Sequence, residues 1–94
     1  MKLYPTKAFI ECYEQLPQRI QKQADKQLGL LLKNLHHPSL KVKKIKGVKN
    51  IWEGRITKNY RFSFEIKGDT YILRRVGKHE EVLRKPDPER GRVF

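Results

Sequence analysis

The chain is poor in cysteine, in acidic side chains and in long apolar runs, and each shortage excludes something. Its single cysteine, Cys12, cannot close an internal disulfide or build a Cys-based zinc site, and it suits a reducing cytoplasm. No apolar run approaches the roughly 18 residues of a membrane-spanning helix, so no membrane role is expected. The opening MKLYPTKAF lacks the apolar stretch of a secretory signal. GxSxG and P-loop motifs are absent, as is any carboxylate cluster of the kind that gathers Mg²⁺, so no metal or other cofactor is expected. Against 22 Lys and Arg stand only 10 Asp and Glu, a formal net charge of +12. A field of that size favours polyanionic partners, either nucleic acid or an acidic protein. The 94 residues make one small domain over 1–94 with one modest core, in which the Pro- and charge-rich residues 86–94 read as a loose tail.

The positive charge is concentrated. Residues 41–64 hold 8 basic side chains and one acidic one, Glu53, a net of +7 in about a quarter of the chain. Concentration in a segment that also reads as sheet points to a polyanion site rather than to a dispersed solvated face.

Before that segment the apolar period is helical. Thr6 can cap a helix to about Leu16, in which Phe9, Cys12, Tyr13 and Leu16 share a face, and Cys12 acts as a small hydrophobe. Pro17 suits the first turn of a second helix whose stripe is Ile20, Ala24, Leu28, Leu31, Leu32 and Leu35. His36-His37-Pro38 ends it. The paired histidines lack a Cys or an i, i+4 His partner, which argues against a metal site. From Lys41 the pattern alternates. Lys41–Lys46, Ile51–Thr57, Tyr60–Ile66 and Tyr71–Val76 read as strands joined by turns at Gly47–Asn50, Lys58-Asn59 and Gly68-Asp69. The expected fold is α+β: an N-terminal helical hairpin on one face of a small antiparallel sheet.

The other sheet face would carry Glu53, Arg55 and Arg61, with Arg74 or Arg75 and His79 nearby. Arginine forks pair bidentately with phosphate oxygens, and histidine transfers protons near neutral pH. Together they fit a phosphodiester site. Residue types alone leave three readings open: metal-independent RNA cleavage, plain nucleic-acid binding, or a structural or interaction role.

Four stretches then resemble the RelE/ParE superfamily of bacterial toxin–antitoxin toxins. They are the hairpin AFIECYEQLPQRIQKQADKQLGLLLKN, the connector HHPSLKVKKIKG, the pair IWEGRITKNYRFSFEI and the finish YILRRVGKHEEVLR. The resemblance implies a RelE-like toxin, blocked by a cognate acidic antitoxin, that acts on the ribosome in the cytoplasm as a metal-independent mRNA endoribonuclease. It assigns Arg61 to the scissile phosphate, His79 to the general acid or charge stabiliser, and Arg55 to a supporting cation. Glu53 stands where some members carry a lysine, which makes it a candidate base. Lys43, Lys44 and Lys46, with Lys49 and Arg75, become the expected RNA contacts. The chain departs from the pattern at Leu83, where RelE-type enzymes often carry an aromatic. A gyrase-poisoning ParE-like toxin and a non-cleaving RNA- or antitoxin-binding member are the alternatives.

Overall fold

Thr6 does two jobs at the start of the first helix. In the computed structural model, which describes residues 1–84, its Oγ1 accepts the Phe9 N–H at 3.2 Å and donates to the Leu73 carbonyl at 2.8 Å. One side chain thus caps α1 (Lys7–Glu14) and fastens it to the last strand. The helix stops two residues short of the expected Leu16, because Pro17 disfavours helical geometry in the residue before it. Pro17 then opens α2 (Gln18–Lys33), where Ile20, Ala24, Leu28 and Leu31 are buried as their spacing predicts. Leu32 falls off that stripe and is 40% exposed. The helix ends at Lys33, before the histidines, and Pro38 instead begins a 3-10 turn (Pro38–Leu40). His37 caps that turn, its Nδ1 accepting the Ser39 N–H at 3.2 Å. The two helices are also tied by the Tyr13 hydroxyl, which donates to Asp25 at 2.7 Å. That bond to the carboxylate raises the Tyr13 pKa above its usual value, since only the neutral phenol can donate.

The sheet has five strands in the order β1-β5-β4-β3-β2. They are β1 (Lys2–Pro5), β2 (Lys43–Lys44), β3 (Ile51–Arg55), β4 (Tyr60–Lys67) and β5 (Thr70–Lys78). The expected antiparallel meander is present, and β1 adds a parallel edge to β5, so the sheet is mixed. A four-residue strand ending in proline offers no alternation to read; it exists because β5 supplies its hydrogen bonds. The basic strand expected over Lys41–Lys46 shrinks to Lys43–Lys44: Lys41 adopts a left-handed conformation at φ 44° before it, and the chain turns after it through Gly47 at φ 81°.

One sheet face packs on the helices. Phe62, Phe64, Leu73 and Val76 join Phe9, Ile20, Ala24, Leu28 and Leu31 in a single core. Gly54 lies under the Phe62 ring, and a Cβ there would collide with it. Gly54→Ala should therefore destabilise the fold by about 1–3 kcal/mol, as overpacked cores do. The check is the denaturant midpoint; an unchanged midpoint would show that the ring can move aside. A bulge between Ser63 and Phe64 leaves Arg74 as the extra residue of β5. That step lets Leu73 and Val76 both reach the core although three positions separate them.

After β5 the chain continues as α3 (His79–Arg84), which the sequence pattern does not predict, and α3 packs back on β4 and β5. Val82 is buried there yet stands outside the main core. The tail expected for 86–94 lies outside the described residues. No helix among the described residues is long and apolar enough to cross a membrane.

Candidate active site

Strand register assembles the site. β3 and β4 run antiparallel with Glu53 opposite Ser63 and Arg55 opposite Arg61, while β5 sets Gly77 opposite Arg61. Directly opposed residues share a sheet face. Trp52, Gly54, Phe62 and Phe64 alternate toward the helices, which leaves Glu53, Arg55, Arg61 and Ser63 together on the other side.

The Lys58-Asn59 turn holds two of the groups. Arg61 Nη1 donates to the carbonyls of Thr57 (2.5 Å), Lys58 (2.7 Å) and Tyr60 (3.2 Å). The Asn59 carbonyl accepts the His79 N–H at 2.9 Å, which fixes where β5 hands over to α3. The guanidinium is therefore locked by its own hairpin before any ligand arrives.

Glu53 is the centre. Its side chain is 2% exposed, and Oε2 lies 3.0 Å from Arg61 Nε and 3.5 Å from His79 Nε2. A buried carboxylate must be paired, and the Arg61 contact supplies the charge-assisted bond. Four atoms around it are buried with no hydrogen bond among the described residues: Glu53 Oε1, Ser63 Oγ, Arg55 Nε and His79 Nε2. Two arginines directly opposed across a ladder repel each other, and one carboxylate cannot neutralise Arg55, Arg61 and a protonated His79 together. The cluster keeps a positive surplus suited to a phosphodiester.

Not every expected contact falls in this cluster. Lys43 pairs with Glu53 in register and so flanks the site face. Lys44 pairs with Trp52 on the opposite face, its Nζ 5.9 Å from the indole centroid. Lys46 and Lys49 are exposed on the loop before β3, around a shallow cavity of about 360 Å³. Arg75 lies opposite Ser63 on β5, separated from β2 by β4 and β3, with Nη1 3.7 Å from Cys12 Sγ. Sequence reasoning missed Ser63 and the carbonyls of the Thr57–Tyr60 turn. A long donor such as Arg61 next to a tight turn was the available signal, since turn carbonyls are unsatisfied acceptors.

No protein-family model matches the chain. Toxin RelE3 from Methanocaldococcus jannaschii is 34% identical over 82 residues, covering 81% of this chain and 88% of that protein. The RelB-RelE antitoxin-toxin complex from Methanococcus jannaschii matches with a TM-score of 0.66 at 30% identity, over 86% of this chain and 95% of that one. YafQ from E. coli strain BL21(DE3) has a TM-score of 0.73 over 85% of this chain and 94% of its own, and at 13% identity it speaks to the fold alone.

Proposed function

The chain belongs to the RelE family of toxins, and from that premise we propose that it cuts messenger RNA on the ribosome without a metal and is held inactive by an acidic antitoxin. The observation that carries the reading is the Arg61–Glu53–His79 cluster, where a buried carboxylate joins a locked guanidinium to an imidazole. The chemistry divides among its members. Arg61, with Arg55 opposite, opposes the charge that develops on the transferring phosphoryl group. His79, whose side chain is 40% exposed, gives a proton to the departing 5′-oxygen. The 2′-hydroxyl is the internal nucleophile, so the products carry 2′,3′-cyclic phosphate and 5′-hydroxyl ends.

Complementary charge governs both partners. A +12 domain attracts an antitoxin segment rich in Asp and Glu as readily as it attracts RNA. Ribosomes and their messages place the activity in the cytoplasm. Inducing the protein in cells and mapping mRNA 5′ ends by primer extension tests the reading. In-frame cuts confined to translated messages are expected; double-strand DNA breaks with intact messages would indicate gyrase poisoning and overturn it.

Lys43, Lys44, Lys46 and Lys49 position the RNA backbone and read no sequence, because ammonium-to-phosphate contacts carry no base information. Replacing Lys43, Lys44 and Lys46 by Ala should weaken ribosome binding and lower its salt slope by about 2–3, given roughly −0.9 per phosphate contact in duplexes and −0.7 in single strands. The cut-site pattern should not change. A new codon preference at unaltered affinity would contradict the assignment.

A further inference from the structure

The ribonuclease reading leaves the role of Glu53 open between a base and something else, and its burial decides the matter. Both carboxylate oxygens sit in a side chain that is 2% exposed. Oε2 faces Arg61 Nε and His79 Nε2, and Oε1 is buried without a hydrogen-bond partner among the described residues. A group so enclosed cannot reach a ribose hydroxyl. It can reach the two groups that do face a substrate. His79 presents the complementary picture: Nε2 is buried toward Glu53 while the side chain as a whole is 40% exposed. Only one ring nitrogen is therefore directed into the protein.

Resting on the ribonuclease reading, we infer that Glu53 is a positioning residue: it holds the Nε2–H of His79 and the Nε–H of Arg61, and so makes Nδ1 of His79 the nitrogen that delivers the proton. The hydrogen-bond partner of one ring nitrogen sets what the other can do. At 3.5 Å the pair is an ion-pair contact and not yet a hydrogen bond; it has to shorten when the imidazolium forms, as catalytic hydrogen bonds do on loading. In the step itself the 2′-oxygen bonds to phosphorus and gives its proton to water. The bond from phosphorus to the 5′-oxygen breaks, and that oxygen takes the proton from Nδ1. His79 is left neutral with Nε2–H still facing Glu53, and solvent restores the Nδ1 proton. Asn59 completes the arrangement by holding the His79 backbone N–H at 2.9 Å, so the ring cannot turn away by moving the main chain. The logic is that of a base, or here an acid, oriented by a third group.

Two measurements test this. In long-range ¹H–¹⁵N spectra of the free full-length chain, with His79→Ala identifying the resonance, neutral His79 should carry its proton on Nε2; a proton on Nδ1 would overturn the inference. A double-mutant cycle in single-turnover cleavage of ribosome-bound message then asks whether Glu53 acts through His79. Glu53→Gln keeps the shape of the carboxylate and should slow cleavage about 10²-fold or more, yet change the rate by less than about 3-fold in a His79→Ala background. Losses that multiply, or full activity in Glu53→Gln, would overturn it. A wild type that cuts no message would instead bring down the ribonuclease reading, while the spectra would still decide which nitrogen faces Glu53.

Discussion

His79→Ala should reduce single-turnover cleavage of ribosome-bound mRNA by about 10²- to 10⁴-fold, the range for loss of a positioned general acid, and should leave the fold intact. The fold is spared because the His79 contribution to architecture runs through its backbone N–H, which the substitution keeps. Its side chain makes no hydrogen bond among the described residues, and the Glu53 carboxylate keeps its closer Arg61 contact at 3.0 Å. Binding to the antitoxin should survive, so cells carrying the variant should lose toxicity without losing the complex. Wild-type cleavage by His79→Ala would remove the acid from the mechanism.

Arg61 behaves differently, because its guanidinium holds the protein together as well as the proposed transition state. Arg61→Ala should cost about 3–5 kcal/mol of stability, since it strands a buried carboxylate, on top of a cleavage loss of roughly 10²- to 10³-fold. Arg61 is 12% exposed at the side chain, and among the described residues the other ion-pair contact of Glu53, to His79, is longer at 3.5 Å. A loss of that size is a large share of the roughly 5–15 kcal/mol that holds a small domain together. Arg61→Lys separates the two roles. An ammonium can stay beside Glu53 and recover part of the stability, but it has no planar fork to reach the turn carbonyls and a phosphate at once. Denaturant midpoints should therefore rise toward wild type while cleavage stays low. Cleavage restored by lysine would mean that charge alone suffices.

The fold was legible where packing imposes a period. Ile20, Ala24, Leu28 and Leu31 on α2, and Phe62 and Phe64 on β4, are spaced as a core-facing helix and strand must be. What escaped was structure made by partners distant in sequence. β1 has no pattern of its own and is defined by β5, and α3 has only six residues, too few for periodicity to speak. The left-handed Lys41 removed the start of the basic strand, and nothing in a lysine-rich run announces a positive φ. In the candidate site, Arg55, Arg61 and His79 stood out by residue type, and the parity of β3 and β4 put Glu53, Arg55 and Arg61 on one face. The burial of Glu53 was not visible, because the groups that face its carboxylate, Arg61 and His79, come from β4 and from the start of α3, distant in sequence. Burial is what turns a candidate base into a positioning group.

The central claim is that the RNA supplies its own nucleophile while this cluster supplies charge and a proton. It is tested most directly by a ribosome-bound message carrying one 2′-deoxynucleotide immediately 5′ to the scissile phosphate. The account predicts that this message is not cut at that phosphate, that the all-ribose message is cut there, and that the fragments end in 2′,3′-cyclic phosphate and 5′-hydroxyl. Cleavage of the deoxy-substituted message, with 3′-hydroxyl and 5′-phosphate ends, would contradict it.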